Sequence, residues 1–336
     1  MEKLEEVIDL NQYSKIGILT DELIGKHFIP IIKKGLKREV SEIIIQSGEK
    51  EKNIETFQYI LEKLFKEQFD RKSLLINLGG GVIGDLGGFV AGCFMRGISF
   101  LQVPTTLLSQ VDASIGDKVG INFVGIKNGI GLFNPPVGVI IDVHTLSTLP
   151  RREFLSGFSE IIKHGIIADK KYFEFVTSKK PAEFSKKELV SIIKRSCEIK
   201  ASIVEADEKE TGFRKTLNFG HTIGHAIEEL KLETNALLHH GEAVAIGMVA
   251  ESKLAELLGM FNKHDLEKIK KGIIRAGLPT SISNISTEKM MDKMLSDKKN
   301  RNGKILWSLP EKIGSAKFNI EASEQLIINA IKQILL

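Results

Sequence analysis

Hydrophobic and polar positions alternate along the first part of the chain in a way that predicts short strands separated by helices. Aliphatic runs predict strands at Lys15–Thr20, Ser41–Gln46, Ser73–Leu78, Ile98–Val103 and Val137–Val143. The segment Lys52–Phe69 has the periodicity of an amphipathic helix. Strands that alternate with helices predict a parallel sheet with helices on its faces, an α/β arrangement typical of Rossmann-like domains.

After Pro150 the pattern changes to long segments with helical periodicity. These segments predict helices at Arg151–Ala168, Lys187–Asp207, Arg214–Glu229, Gly241–Leu258 and Ser323–Leu335. A late hairpin is predicted from Lys304–Leu309 and Ser315–Ile320. We therefore predict an α/β domain over residues 1–150 and a mostly helical domain over residues 151–336.

Composition places the chain among globular proteins and excludes several classes. Of 336 residues, 42% are hydrophobic and 27% are charged, which is ordinary for a soluble domain. The net charge of +4 comes mainly from Lys without interleaved aromatic residues, so nucleic acid is not an expected partner. The acidic N-terminus lacks a signal-peptide pattern, and no apolar run suits a membrane span. We expect a cytoplasmic protein with no membrane association.

A glycine-rich turn follows one of the predicted strands. The strand ending at Leu78 runs into Gly79–Asp85, whose glycines have the G-x-G-x-x-G spacing of dinucleotide-binding turns. Glycines there let the backbone approach a pyrophosphate at a helix N-terminus. A role in packing alone stays open, because Leu86–Val111 contains no acid to bind a ribose. Asp21 and Glu49, which follow the first two strands, are placed to supply that acid.

The segment from Arg214 to Glu228 carries the strongest chemical signal. Its polar residues follow spacings of four, three, four and three, which would place them on one face of a helix; they are Arg214, Asn218, His221, His225 and Glu228. A core-facing helix would carry aliphatic residues on such a face. A stripe of imidazole, amide and charged groups therefore indicates a polar site.

Two further segments could complete a metal site with this stripe. His239 and His240 open the next predicted helix, and Glu160 lies on the first helix after Pro150. One carboxylate with two imidazoles leaves a coordination position open, which is typical of catalytic zinc. His240 is the favoured second imidazole, with His239 as the alternative.

A long segment between the predicted strands shows little helical periodicity. Gln110–Pro136 is rich in Gly and Asn and contains Lys118 and Lys127. Irregular segments of this length inside compact α/β proteins are usually functional. We expect an irregular loop whose lysines bind an anion.

Taken together, these motifs resemble the 3-dehydroquinate synthases, a family of sugar-phosphate cyclases. The resemblance extends from about Asp21 to Lys299 and rests on Gly79–Asp85, Arg96–Leu108, Asp112–Gly116, Glu160–Lys163, Leu217–His225 and His240–Val244. Two departures lie in one loop, where Asp117 replaces a usual Gly and Phe123-Val124 replaces His-Pro. The resemblance implies an NAD-binding domain, a helical domain and an active site in a cleft.

The resemblance also implies roles for individual residues. Zinc, with cobalt as an alternative, would be bound by Glu160, His221 and His240. NAD would be contacted by Asp21, Glu49, Lys52, Gly80, Gly81, Asp85, Thr105, Thr106, Lys118, Lys127, Thr148 and Leu149. Substrate and catalytic contacts would come from Asp112, Lys118, Asn128, Lys163, Lys200, Arg214, Asn218, His225 and either Lys298 or Lys299. Arg96 would reach the phosphate site of a neighbouring subunit, which implies a homodimer.

The implied substrate is a sugar phosphate that carries a carboxylate, 3-deoxy-D-arabino-heptulosonate 7-phosphate. The implied reaction comprises transient oxidation by NAD, loss of phosphate, re-reduction and an intramolecular aldol closure. Arg214 and Lys200 would bind the carboxylate. Alternatives are a cyclase for an uncharged-end sugar phosphate, such as a 2-deoxy-scyllo-inosose or valiolone synthase, a metal-dependent polyol dehydrogenase, and an anion-binding protein without activity.

Overall fold

The chain folds into two compact units, Met1–Leu149 and Pro150–Leu336, in a computed structural model. The structure describes residues 4–233, 238–296 and 305–336. Within these ranges, no helix combines the length and the apolar composition that crossing a bilayer requires.

The first unit has the predicted alternation of strands and helices. Its strands are β1 (Ile16–Asp21), β2 (Ser41–Ile45), β3 (Leu74–Gly79), β4 (Ser99–Pro104), β5 (Lys118–Phe123), β6 (Ile126–Phe133) and β7 (Gly138–Val139). Its helices are α1 (Leu4–Val7), α2 (Glu22–Lys34), α3 (Ile54–Lys66) and α4 (Gly81–Cys93). The observed helix α3 is shorter than the predicted helix Lys52–Phe69. It begins after Asn53, which caps it by accepting a hydrogen bond from the Thr56 amide at 2.7 Å.

Five of these strands form one parallel sheet in the order β2-β1-β3-β4-β7. The strand order reverses between β1 and β3. The chain passes from β1 to β2 on one side of this point, and from β3 to β4 on the other. In open α/β sheets, ligands bind at the carboxyl ends of the strands beside such a reversal. Asp21 ends β1 and Gly79 ends β3, so both lie at this edge.

Apolar residues on the two faces of the sheet form separate cores. One face carries Leu19 and Leu75, which join buried residues of α3 and α4. The other carries Ile18 and Ile76, which join buried residues of α2. Both faces are therefore covered, as burial of parallel strands requires.

The segment Gln110–Pro136, predicted to be irregular, is largely a β-hairpin, so that prediction is wrong. β5 and β6 pair antiparallel, with Val119 opposite Leu132. Gly120 and Gly131 lie opposite each other, and a Cβ on Gly120 would come within 2.5 Å of the Ile130 carbonyl oxygen. The glycines that obscured the strand pattern are therefore needed for close approach of the two backbones. The predicted strand Val137–Val143 is also too long, because pairing with β4 is limited to β7.

The second unit is mostly helical. Its helices are α5 (Arg151–Ala168), α6 (Lys170–Val176), α7 (Lys186–Ala206), α8 (His221–Glu233), α9 (His240–Leu257), α10 (Lys263–Ala276), α11 (Thr287–Ser296) and α12 (Glu324–Ile331). A late hairpin is present, formed by β8 (Trp307–Lys312) and β9 (Ser315–Ile320). Most residues of α5 and α9 are buried, so these two helices form the centre of the unit.

The predicted helix Arg214–Glu229 is wrong as a single element. Phe213–Asn218 is a short 3₁₀ helix, and α8 begins only at His221. The break lies at Gly220, whose φ of +81° is left-handed and suits glycine. A Cβ there would also lie 2.6 Å from Met248 Cγ. Arg214 and Asn218 therefore do not share a helix face with His221.

The tip of the β5–β6 hairpin offers a test of local strain. Val124 and Gly125 form its two-residue turn with φ values of +49° and +74°, as in a type I′ turn. A β-branched residue is strained in this region, whereas Asn tolerates it. We expect Val124→Asn to raise the free energy of unfolding by about 1 kcal/mol, measured by urea unfolding.

The matched control is Val137→Asn, the same substitution at another exposed valine, which lacks a positive φ. It should change the unfolding midpoint little. Equal effects of the two substitutions would contradict the assignment of strain to Val124.

Candidate active site

A buried carboxylate lies at the centre of the second unit. Glu160, on α5, has no exposed surface and forms an ion pair with Lys163, one turn further along the helix. Apart from this ion pair, neither carboxylate oxygen has a hydrogen-bond donor among the residues that the structure describes. A buried carboxylate is costly unless its charge is matched. Its environment therefore suits a further cation.

Two imidazoles face this carboxylate. Glu160 Oε1 lies 3.7 Å from His221 Nε2 and 3.8 Å from His240 Nε2. One ligand atom from each residue fits within a mutual separation of 4.8 Å. One carboxylate oxygen and two imidazole nitrogens form the donor set of a catalytic zinc site. The structure thus brings together the three residues predicted to bind the metal.

The opposite nitrogen of each ring has an acceptor of its own. His221 Nδ1 lies 3.1 Å from the Phe219 carbonyl oxygen, and His240 Nδ1 lies 3.2 Å from Glu228 Oε2. Since both partners are acceptors, these contacts favour the tautomers with the proton on Nδ1, in which Nε2 is the nitrogen available to a metal. Metal-binding histidines in proteins are oriented by such contacts.

The electrostatic environment keeps His221 neutral. Burial lowers its pKa well below the ordinary value, and the positive charges of Lys163 and of neighbouring imidazoles lower it further. A neutral imidazole is the form that binds a metal. His221 thus fits a divalent cation in protonation as well as in geometry.

Small residues allow α9 to approach α5 at the site. The Gly241 amide donates a hydrogen bond to Ser156 Oγ at 2.9 Å, and a Cβ on Gly241 would lie 2.1 Å from the Ser156 carbonyl oxygen. Ser156 lies one turn before Glu160, on the same face of α5. This contact therefore places His240, the first residue of α9, beside Glu160.

The helices α8 and α9 also approach closely through glycines. A Cβ on Gly247 would lie 2.0 Å from the Gly220 carbonyl oxygen, and one on Gly224 would lie 3.2 Å from Val244 Cα. Any larger residue at Gly247 would push α8 away. Close packing therefore holds His221 at its distance from His240.

The other predicted residues of this unit lie in defined surroundings. The His225 ring centroid is 5.2 Å from that of His221. Arg214 is buried, and its guanidinium donates to the Glu208 carbonyl oxygen at 2.5 Å. Asn218 donates to Glu210 Oε1 at 2.6 Å, and Lys200 is buried. Lys298 and Lys299 lie outside the described residues.

In the first unit, the glycine-rich turn joins β3 to α4 as predicted. Gly80 caps α4 and Gly81 begins it. A Cβ on Gly80 would lie 3.1 Å from Thr106 Cγ2, so a side chain at that position would be crowded. The turn thus fits a phosphate group at a helix N-terminus.

A polar network joins this turn to the β5–β6 hairpin. The Lys52 ammonium is buried and lies 2.5 Å from Asp85 Oδ2, and it also donates to the Asn128 side chain. Asn122, on β5, links the hairpin to the segment before α3, because its side-chain amide donates to Glu49 Oε1 at 2.9 Å. Its side-chain oxygen also accepts from the Asn128 backbone N–H at 2.9 Å, within the hairpin. Sequence reasoning missed Asn122, although it lies within the Gln110–Pro136 segment that was noted for its Gly and Asn content.

The remaining residues predicted to contact cofactor or substrate differ in exposure. Asp21 caps α2, accepting hydrogen bonds from the Leu23 and Ile24 amides at 3.0 Å. The exposed members of this group are Glu49, Arg96, Lys118, Lys127, Asn128 and Thr148. Those that are partly buried are Asp21, Asp85, Thr106, Asp112 and Leu149. Lys52 and Thr105 are buried.

Family comparisons cover nearly the whole chain. Residues 42–156 match the family described as 3-dehydroquinate synthase N-terminal, and residues 157–300 match 3-dehydroquinate synthase C-terminal. A 3-dehydroquinate synthase of Thermodesulfovibrio yellowstonii is 46% identical over 325 residues, covering 95% of this chain and 90% of that protein. One of Sulfurovum sp. is 43% identical over 322 residues, covering 95% and 91%.

Solved structures with similar folds include other cyclases. A 2-deoxy-scyllo-inosose synthase complexed with carbaglucose-6-phosphate, NAD⁺ and Co²⁺ has a TM-score of 0.89 at 24% identity, covering 99% of this chain and 94% of that one. A 2-epi-5-epi-valiolone synthase from Streptomyces hygroscopicus with NAD⁺ and Zn²⁺ bound has a TM-score of 0.87 at 25% identity, covering 95% and 90%.

The contact between His240 and Glu228 generates a prediction about metal affinity. Glu228→Ala removes the acceptor of His240 Nδ1, so the ring loses its orientation. We expect the Zn²⁺ affinity to fall about 10- to 100-fold, measured by competition with a chromophoric chelator.

Glu229→Ala is the matched control, because Glu229 is the next residue of α8 but is exposed and pairs with Lys293 at 3.6 Å. Its Zn²⁺ affinity should equal that of the wild type. If Glu228→Ala bound Zn²⁺ as tightly as Glu229→Ala, Glu228 would have no part in orienting His240 for the metal.

Proposed function

This chain belongs to the 3-dehydroquinate synthase family, and on that premise we propose that it converts 3-deoxy-D-arabino-heptulosonate 7-phosphate to 3-dehydroquinate and phosphate. It would act as a carbon–oxygen lyase that depends on NAD and a divalent metal. The observation that carries the proposal is the buried Glu160 carboxylate, which faces two imidazole nitrogens and has Lys163 as its ion-pair partner.

Glu160, His221 and His240 are the residues that would hold the metal, which we propose to be zinc, with cobalt as an alternative. Bound there, the cation would act as a Lewis acid that lowers the pKa of a substrate hydroxyl. The buried Lys163 ammonium lies against the Glu160 carboxylate. It would hold that carboxylate in place and contact the substrate at the same time.

The first unit would hold NAD at the turn between β3 and α4. Gly80 and Gly81 would let the pyrophosphate approach the helix, and the Lys52–Asp85 pair would hold the adjoining segment in place. When bound, the nicotinamide would take up a hydride from the substrate and return it, so no net oxidation occurs. The acids at the carboxyl edge, Asp21 and Glu49, would contact the riboses.

Separate cations would bind the two anionic ends of the substrate. Arg214 and Lys200 are both buried cations of the helical unit, and we assign them to the carboxylate, whose negative charge they would match. Phosphate would be bound by Lys118, Asn128, His225 and Lys298, with Arg96 from a partner subunit. The enzyme would therefore be a homodimer, and we propose that it acts in the cytoplasm.

Phosphate release in a defined assay tests this function. The purified protein, incubated with the heptulosonate phosphate, NAD⁺ and Zn²⁺, should release phosphate stoichiometrically with 3-dehydroquinate and without accumulating NADH. A chelator should abolish turnover, and excess Zn²⁺ should restore it. His221→Ala should lose both Zn²⁺ and activity.

The alternative functions give different results. A polyol dehydrogenase would accumulate NADH. A cyclase of the 2-deoxy-scyllo-inosose or valiolone type would release phosphate only from a substrate without the carboxylate. Full activity of metal-free His221→Ala would overturn the metal assignment.

A further inference from the structure

A second buried carboxylate lies on α9, away from the ligands themselves. Glu251 has no exposed surface. Its Oε2 accepts a hydrogen bond from the Gly220 amide at 2.5 Å, and its Oε1 accepts one from the Ile223 amide at 3.0 Å. These two amides flank His221 in the chain.

The start of α8 explains why this carboxylate is there. The first amides of a helix lack partners inside the helix and are usually capped by the side chain of the residue before it. That residue is Gly220, whose carbonyl oxygen accepts the first helical hydrogen bond, from the Gly224 amide at 3.2 Å. Glycine has no side chain to offer, so the cap of α8 comes from the neighbouring helix.

One peptide group links this cap to the imidazole. The N–H of the Phe219–Gly220 peptide donates to Glu251, while its carbonyl oxygen, on Phe219, accepts from His221 Nδ1 at 3.1 Å. Because a peptide group is planar and rigid, fixing its N–H also fixes the direction of its C=O. An acceptor on the N–H also polarises the carbonyl and strengthens it as an acceptor in turn.

We propose that Glu251 is a positioning residue that fixes the His221 imidazole through the Phe219–Gly220 peptide group, so that Nε2 is presented to the metal. This inference rests on the proposed metal site. It adds a chain from the Glu251 carboxyl group through a peptide group to the His221 imidazole, beside the direct contact of Glu228 with His240. Glu251 touches neither metal nor substrate in this role.

The cost of burying Glu251 supports this role. Burial raises the pKa of Glu251 to about 8, even though hydrogen bonds from the Gly220, Thr222 and Ile223 amides oppose that rise. An aliphatic residue at this position would avoid the desolvation cost. The hydrogen bonds to the start of α8 are therefore the specific contribution of the carboxylate.

The same helix carries His240 at its first residue and Glu251 three turns later. Between them, Gly247 lets the Gly220 carbonyl oxygen approach. α9 therefore provides one imidazole directly and holds the other through Glu251. Both contacts together set the separation of the two nitrogen ligands.

Glu251→Gln tests the proposal, because Gln is similar in size but its amide nitrogen cannot accept a hydrogen bond. We expect Zn²⁺ affinity to fall about 10- to 100-fold and the visible spectrum of the Co²⁺-loaded protein to change. Ser252→Ala is the matched control. Ser252 is also buried on α9, and its hydroxyl has no hydrogen-bond partner among the described residues, so both readouts should stay at wild-type values.

A folded Glu251→Gln protein with wild-type Zn²⁺ affinity and Co²⁺ spectrum would overturn the inference. If that variant does not fold, NMR spectra of the Zn²⁺-loaded wild type with ¹⁵N-labelled histidine test the inference instead. They should show His221 bound through Nε2 with Nδ1 protonated, and ligation through Nδ1 would overturn the inference. A wild-type protein that binds no Zn²⁺ would instead contradict the proposed function.

Discussion

The second unit depends on one constraint, the burial of the Glu160 carboxylate, whose oxygens have no hydrogen-bond donor among the described residues apart from the Lys163 ion pair. Burying such a charge is unfavourable unless cations surround it. Lys163 supplies one positive charge, and the buried His221 imidazole, whose pKa lies well below its ordinary value, adds a lone pair rather than charge. The helices that carry these groups are packed through Gly241 and Gly247, so their backbones hold the donors together before any ion arrives.

Much of this arrangement could be predicted because it depends on local pattern. The helix Arg151–Ala168 is observed at its predicted bounds, and the glycine-rich turn has its predicted strand and helix on either side. The donors Glu160, His221 and His240 were identified by residue type and by resemblance. Residue types alone could not show that three helices bring them together, since that depends on tertiary packing.

The errors have physical reasons of their own. The polar residues from Arg214 to Glu228 have helical spacing, so one helix was predicted across Gly220. Spacing alone could not reveal that Gly220 has a positive φ. The hairpin of β5 and β6 was missed because Gly120 and Gly131 replace the side chains that would have shown alternation. Glu251 was not identified because its partners are backbone amides, which leave no pattern in the sequence.

The position of Glu251 on α9 has a consequence for how this sequence can change over evolution. Each residue added to or deleted from a helix rotates everything beyond it by about 100°. A single insertion between His240 and Glu251 would turn the acid away from α8 while leaving every side chain chemically intact. The length of this stretch is thus as strongly constrained as the identity of the residues at its ends, and natural variation there should take the form of substitutions rather than gaps.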